Sequence, residues 1–545
     1  MTFWQNLAEV FKYHQDAPML FNSGEFMFLY TAFIIIYTII YRRKFWMSVY
    51  VILFSLFFYY KSSGWYFFLL ILTSITDFTF ALLLDKAKKK SWRVFWMILG
   101  VVPSLGLLAY FKYTNFLLFN WSLIVHKNFQ PLDIFLPVGI SFYTFQSVSY
   151  VIDVYKKTLK PTRNILDYAF FLSFFPQLVA GPIVKAHHFL PQLEKTPSVS
   201  KEQVYSGIWL IMVGVIKKAV FADYIALYND IVFANPFAHN GFENLMAILG
   251  YTLQIYLDFS GYSDMAIGLG RIMGYDLGIN FNLPYKARDI TNFWRRWHIS
   301  LSTWLRDYVY IPLGGNRRGK VKMYRNLMIT MLVGGLWHGA HWKFVFWGGL
   351  HGIGLAIHKM YMNFLKKIKD LEFINKLKKV KWKNFLHNLH KKQAIDKIQS
   401  SLIYKLLSWL LTFIFVIFLW IFFRATDVQK VKNVVKIDPK THQTYEVVQK
   451  HKVNAFNVSF WMAKRVLTDF DIHFAKVFWK ARNLWVVLVI LGFLLHFIPD
   501  KVNAKILDWY IKSPYILKVL IFIIVVQLVI QFKNSDVQPF IYFQF

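Results

Sequence analysis

Long apolar runs separated by short basic stretches organise this chain. The runs are Phe26–Tyr41, Met47–Tyr60, Trp65–Leu84, Phe95–Tyr110, Leu136–Val151, Val204–Ile225, Leu245–Leu257, Leu327–Trp337, Phe344–Ile357, Leu402–Phe423, Leu484–Phe497 and Tyr515–Phe532. Several reach the roughly 20 residues that span a hydrocarbon core as a helix. Others are shorter, or are interrupted by Gly or Pro, and read as re-entrant or half-buried helices shielded by protein. By this length criterion about eleven to thirteen membrane-embedded helices are predicted. The fold class that follows is all-α and polytopic. No internal repeat or low-complexity tract divides the runs, so the membrane body reads as a single domain.

Charge then orients the pattern. Lys+Arg number 63 against 29 Asp+Glu, a formal net charge of +34. In a soluble protein that excess suggests nucleic acid, but no nucleic-acid motif accompanies it here. In a multi-span protein it reads as cationic cytoplasmic loops. Arg42, Arg43 and Lys44 end the first span, and Lys86, Lys88, Lys89, Lys90 and Arg93 end the third. Placing both clusters in the cytoplasm puts the N-terminus outside. The N-terminal residues lack a basic stretch followed by an apolar core, so no cleaved signal peptide is expected and the first membrane helix serves as the targeting signal. Residues 1–18 read as an N-terminal extension and 19–545 as the membrane domain. Within that domain, 364–400 reads as a basic amphipathic loop on anionic headgroups. Residues 425–480 read as a polar insertion whose side is open.

The chain has no cysteine. That excludes disulfides, thiolate-bound metal, a cysteinyl acyl-enzyme and a lipoprotein anchor. The chemistry falls instead on Thr291–His351, where His298 and His338 sit in tryptophan-rich apolar surroundings. An ionisable group at membrane depth is costly, and imidazole exchanges a proton near neutral pH. Taken as one helix from Asn292 to Arg306, the segment puts Trp294, Trp297, His298, Leu301, Trp304 and Leu305 on one face. On that face His298 is either a hydrogen-bonded core residue or a functional one. His338 follows an apolar run and is flanked by Gly334, Gly335 and Gly339, which permit a break or a close backbone approach. It reads as a substrate-facing base or as a helix-terminal histidine at the interface.

Neighbouring signals are weaker. His341 and His351 do not have HExxH spacing, and no acidic residue lies between Arg325 and Lys359, so no metal site is expected. Gly314–Val321 nearly matches a phosphate-binding loop, but Val321 replaces the magnesium-binding Ser or Thr. ATP is rejected. Arg317, Arg318 and Lys320 remain candidates for neutralising the phosphates of a nucleotide-like donor, or else form a plain cytoplasmic loop. Asp258 and Asp264 put two carboxylates beside an apolar run, for paired acid/base work or for structure. No GxSxG elbow is present, which argues against a serine acyl-enzyme.

Several motifs together resemble one family. They are MLFNS (Met19–Ser23), YFKYTNF (Tyr110–Phe116), LPVGISFYTFQSVSYVIDVY (Leu136–Tyr155), SFFPQLVAGPIV (Ser173–Val184), DFSGYSDMAIGLGRIMGY (Asp258–Tyr275), FNLPY (Phe281–Tyr285), FWRRWHISLSTWLRDYVYIPLGGNR (Phe293–Arg317), GGLWHGA (Gly334–Ala340) and the terminal PFIYFQF. The chain resembles the membrane-bound O-acyltransferases, in the bacterial branch of the alginate O-acetylation membrane subunit. That resemblance implies a multi-helix bundle with re-entrant segments around a central funnel or tunnel. It makes His338 the family's catalytic histidine and His298 the second one. Asp258, Trp297, Arg296, Trp337 and Ser141, each inside a matching motif, become candidate substrate-binding or supporting residues.

The donor implied is acetyl-CoA as substrate, with no bound cofactor, or in the teichoic-acid D-alanylation branch a carrier-protein thioester. The acceptor implied is a hydroxyl of a cell-envelope or extracellular polysaccharide, reached through an exported companion acyltransferase, with the chain in the inner membrane of a bacterium. A hydroxyl is a poor nucleophile at neutral pH and needs a base within about 3 Å. A thioester is already activated, so neither ATP nor metal is required. A proton-coupled transporter and an export scaffold are the competing readings; the first favours inverted repeats, and none is seen.

Overall fold

The structure is a computed structural model that describes residues 11–15, 18–179, 181–368, 394–437 and 444–532. In chain order the helices are α1 (Gly24–Ile40), α2 (Lys44–Ser63), α3 (Phe67–Lys86), α4 (Lys90–Leu108), α5 (Thr114–Ile124), α6 (Ile140–Tyr155), α7 (Ile165–Ser173), α8 (Ala186–Leu193), α9 (Lys201–Val215), α10 (Asp223–Ala234) and α11 (Gly241–Ile272). They continue with α12 (Ile290–Trp294), α13 (Ile299–Leu305), α14 (Lys320–His338), α15 (Trp342–Ile368), α16 (Ala394–Ser400), α17 (Leu402–Arg424), α18 (Ala455–Thr468), α19 (Phe474–Phe497), α20 (Asp500–Lys512) and α21 (Tyr515–Phe532). The protein is an all-α polytopic membrane protein, to which one hairpin of ten-residue strands is added among the described residues.

Local signals set the helix starts. The Ser23 hydroxyl accepts from the Phe26 N–H at 3.1 Å and opens α1. Reciprocal capping by Ser200 with Gln203 opens α9, and by Asn240 with Glu243 opens α11. Among the described residues, five helical stretches are long and apolar enough to cross a bilayer: Lys44–Lys86, Lys90–Ile124, Leu402–Arg424, Phe474–Phe497 and Tyr515–Phe532. The first of these is the hairpin of α2 and α3, which turns at Gly64. Other apolar runs fold into helices that protein covers. Almost every residue of α6 is buried, as is most of the 32-residue α11. Their serines, threonines and glutamines therefore sit inside the protein, consistent with α-helices that line a core and not lipid.

Two ends of the body can be told apart from side-chain contacts. Lys44 pairs with Asp167 at 3.1 Å, Arg163 with Asp85 at 3.4 Å, and Arg93 donates to the carbonyls of Leu84 at 3.0 Å and Tyr155 at 2.8 Å. Both basic clusters therefore lie at one end. At the other, Val138 N–H donates to Ser63 Oγ at 2.9 Å and Trp342 Nε1 to Asn120 Oδ1 at 2.8 Å. The insertion belongs to this second end, because Lys343 Nζ donates to the Ala425 carbonyl at 2.7 Å and Gly241 N–H to that of Asp469 at 2.9 Å.

The insertion is not irregular. Val428–Ile437 (β1) and Thr444–Val453 (β2) pair antiparallel, with Val428 opposite Val453, and α18 follows. The final residues of the 425–480 stretch already belong to α19. Most of the predicted amphipathic loop, residues 369–393, lies outside the described residues, as do most of the N-terminal extension and the terminal PFIYFQF.

Close packing of α14 on α15 carries the histidine-bearing segment. A Cβ on Gly335 would meet the Phe344 carbonyl oxygen at 2.2 Å, and one on Gly348 the Met331 carbonyl at 2.3 Å. The two glycines let the backbones touch, as small residues do between membrane helices. Gly335→Ala is expected to lower the melting temperature in detergent, since overpacking costs about 1–3 kcal/mol. Gly349→Ala, whose Cβ would find only Leu332 Cδ2 at 3.4 Å, is the neutral control. Equal melting of the two variants would remove this account of the contact.

Candidate functional site

His338 ends α14. Gly339 follows in extended backbone, and the chain turns back into α15. The helix end leaves carbonyls that helical bonding cannot satisfy, and hydrocarbon supplies no water. A five-residue π-helical segment, Ala109–Tyr113, supplies partners instead. Tyr113 Oη donates to the Leu336 carbonyl at 2.9 Å. Lys112 Nζ donates to the Trp337 carbonyl at 2.5 Å and lies 3.3 Å from that of His338. The same ammonium stands 5.7 Å from the Trp337 ring centroid and 3.5 Å from Ser141 Oγ. Three successive carbonyls are thus held by two side chains from one irregular turn. The sequence reading placed YFKYTNF in a motif but did not single out Lys112 or Tyr113. A lysine inside an apolar run was the available signal.

His298 reaches the site by a different device. The single helix expected from Asn292 to Arg306 is broken. α12 ends at Trp294, α13 starts at Ile299, and His298 between them has φ +42°, the left-handed region. Such backbone costs about 1–3 kcal/mol for a non-glycine residue, which the surroundings must offset. They do so through Asn280, whose carbonyl oxygen accepts from Ile299 N–H at 2.9 Å. The Asn280 side-chain oxygen lies 3.1 Å from His298 Nδ1 and accepts from Ser300 Oγ at 2.9 Å. With this amide orientation Nδ1 carries the proton of a neutral ring, and Nε2 is its basic nitrogen. Asn280, next to the FNLPY motif, was also missed by sequence reasoning.

The two imidazoles come together in an aromatic chamber. Their centroids are 6.4 Å apart, and His298 and His338 are 0% and 2% exposed. Trp337 lies beside both, 5.7 Å from the His298 ring and 5.0 Å from that of His338. Trp347, Phe423 and Phe259 complete the walls at 5.1, 5.2 and 4.7 Å from the nearer histidine. A cavity of about 90 Å³ adjoins Trp337, lined by Lys112, Ser141 and the Leu136–Phe142 turn. It lies at the end of the body opposite the basic clusters.

Other candidates fall elsewhere. Trp297 packs 4.8 Å from Trp420 and 5.1 Å from Phe281, one layer behind His298. Arg296 holds the α12 turn, donating to Asn292 Oδ1 at 2.7 Å and the Asn282 carbonyl at 3.0 Å. The carboxylates of Asp258 and Asp264 each take a lysine of the π-helical turn Ile216–Ala222. Lys218 pairs with Asp258 and, at 2.8 Å, with Asp223, while Lys217 pairs with Asp264 at 2.6 Å. Their observed partners are cations, which supports the structural reading of both. Arg317, Arg318 and Lys320 are exposed before and at the start of α14. Nineteen residues of helix at about 1.5 Å each put that loop roughly 27 Å from His338. His351 accepts from Trp294 Nε1 at 3.3 Å and belongs to the core. Among the described residues no group of three or more His, Cys, Asp or Glu could hold a metal ion.

The chain is similar to known proteins. The model of the membrane-bound O-acyltransferase family matches residues 159–387. A peptidoglycan O-acetyltransferase of Helicobacter pylori is 34% identical over 460 residues, covering 79% of this chain and 81% of the relative. The chain belongs to the membrane-bound O-acyltransferase family. It lies in the alginate O-acetylase-like branch. A probable alginate O-acetylase of Pseudomonas aeruginosa is 42% identical over 61% of this chain and 58% of its own length. A teichoic acid D-alanyltransferase of Bacillus subtilis is 30% identical over 46% of this chain and 66% of its own. The protein is accordingly a multi-pass membrane O-acyltransferase, and the chamber around His298 and His338 is its candidate active site.

The capping geometry can be tested directly. Lys112→Met is expected to lower acyl transfer on the order of 10²-fold through misplacement of the α14 end. Lys112→Arg, which keeps the cation, should restore part of it at similar thermal stability. Equal activity of the Met and Arg variants would reduce the ammonium to a packing role.

Proposed function

We propose that this chain moves an acetyl group from cytoplasmic acetyl-CoA toward a hydroxyl of a cell-envelope or extracellular polysaccharide, with His338 as general base. The observation that carries the proposal is the pairing of His338 with His298 at the broken end of α14, walled by tryptophans and next to a cavity. His338 takes the proton of the attacking hydroxyl, and the oxygen adds to the thioester carbonyl. The carbon–sulfur bond then breaks, and the thiolate leaves and regains a proton. Water is kept out by the aromatic walls, and orientation supplies several kcal/mol, on the order of 7–11 in the best cases. His298, anchored by Asn280, orients a reactant; Trp337 and Ser141 border its path.

The donor reading rests on the cationic loop. CoA holds its phosphates and its thioester apart on a long flexible arm, which suits a loop one helix length from His338. The basic end is then cytoplasmic and the N-terminus outside, in the inner membrane of a bacterium. The acceptor approaches from the other end, where the insertion lies. Among the described residues that end offers a hairpin and one helix, and no hydrolase-sized domain. An exported companion with its own nucleophile therefore completes the transfer to the glycan. The resemblance to a D-alanyltransferase keeps a second reading, in which the donor is a carrier-protein thioester.

Purified protein in lipid vesicles with labelled acetyl-CoA tests the reaction. His338→Ala should abolish transfer while insertion and melting stay unchanged, and wild-type-like turnover would remove the base. His298→Ala should give a large, incomplete loss. Neutralising Arg317, Arg318 and Lys320 together should raise the apparent KM for acetyl-CoA more than it lowers kcat. An unchanged KM returns the loop to topology alone, and activity only with a charged carrier protein selects the D-alanyl reading.

A further inference from the structure

A second cavity, of about 1040 Å³, lies between α1, α9 and α21 and shares no lining residue with the histidine chamber. Its volume is at the top of the range of about 300–1,000 Å³ usual for small-molecule sites. Its walls include Met27 and Ile34 of α1, Ile208 and Val215 of α9, and Phe522 and Val529 of α21. It runs from Asn22 to Tyr41 along the 17 residues of α1, about 26 Å at 1.5 Å per residue. That is close to the roughly 30 Å of a hydrocarbon core. Met212, Tyr510 and Val525 form a small separate core between the terminal helices and the body, and the same residues line the groove.

The groove has a charged end. Among the described residues that line it, Lys518 is the one cation, and no carboxylate lines it. Lys518 is 6% exposed. Its ammonium donates to the Ser513 carbonyl and stands 4.2 Å from the Tyr205 ring centroid and 5.8 Å from that of Tyr510. This is the end that also carries the basic clusters. An apolar trough lined by one cation, near one end, and by no carboxylate complements a molecule with hydrocarbon chains and an anionic head.

We propose that the groove is a binding site for an anionic phospholipid, its phosphate at Lys518 and its chains along α1 and α21. The site stands apart from the transfer chemistry and holds the terminal helices α20 and α21 against the body. Native mass spectrometry of delipidated protein, titrated with phosphatidylglycerol and with phosphatidylcholine of identical chains, tests it. Phosphatidylglycerol should bind about fivefold more tightly, the ratio given by ~1 kcal/mol per cation near an anionic headgroup. Lys518→Gln should bring that ratio to about one at unchanged melting temperature, and Lys518→Arg should keep it. Val526→Trp, which fills the groove, should lose both lipids. Equal binding of the two lipids, a preference that survives Lys518→Gln, or a co-purifying polypeptide cross-linked to Val526 would each overturn the proposal.

Discussion

A helix that ends inside a membrane must have its last carbonyls satisfied by protein, and the histidine chamber depends on how that is done. At the end of α14 the carbonyls of Leu336, Trp337 and His338 face Tyr113 and Lys112. Leaving them unpaired in hydrocarbon would cost several kcal/mol each. Both side chains come from one π-helical turn, where an extra residue per turn re-aims what an α-helix would send to lipid. Because the clamp grips the backbone of His338 itself, the position of the imidazole follows from α4 as much as from α14. The glycine contact with α15 fixes the same segment from the other side.

His298 answers the same constraint with strain. Its left-handed backbone turns the imidazole inward, where a regular helix would have laid it along one face with Trp294 and Trp304. Asn280 offsets part of that cost by bonding the backbone on one side and the ring on the other. Strain that persists only because neighbours over-determine it is commonly found at functional sites. Here it brings two histidines from separate motifs within one shell of aromatic rings. By contrast, the carboxylates of Asp258 and Asp264 are tied to lysines of a neighbouring π-helical turn. Removing one partner of the buried Lys218–Asp258 pair costs about 3–5 kcal/mol. The pairs tie the turn between α9 and α10 to α11.

Much of this was legible in the sequence, and the illegible parts share a cause. Apolar runs gave the helices, and basic clusters gave the two ends. The glycines around Trp337 and His338 marked a close backbone approach, since a Cβ on Gly335 would meet the Phe344 carbonyl oxygen at 2.2 Å. Periodicity failed at Asn292–Arg306 because a one-residue left-handed step leaves the hydrophobic pattern nearly intact. Tryptophans on both sides remain buried, in two short helices instead of one. Lys112 and Asn280 were passed over because each acts on backbone far away in the chain, 225 residues away for Lys112 and Trp337. The strands of the insertion left a partial sign, since Val431 and Val435 alternate with Lys430, Lys432 and Lys436 while Asn433 and Val434 break the period.

The polarity of α14 joins these features. Its N-terminal end begins at Lys320, behind Arg317 and Arg318, and carries the partial positive charge of the helix dipole. An anion there is favoured twice, by the side chains and by unpaired backbone N–H groups. Its C-terminal end carries the opposite partial charge, and there the structure places a lysine ammonium against the last carbonyls. One helix thus presents an anion-attracting end at the basic side of the body and an imidazole at the other. The acetyl-CoA proposed as donor, with phosphates at one extremity and a thioester at the other, matches that polarity. A reversed helix would remove the carbonyls that Lys112 grips.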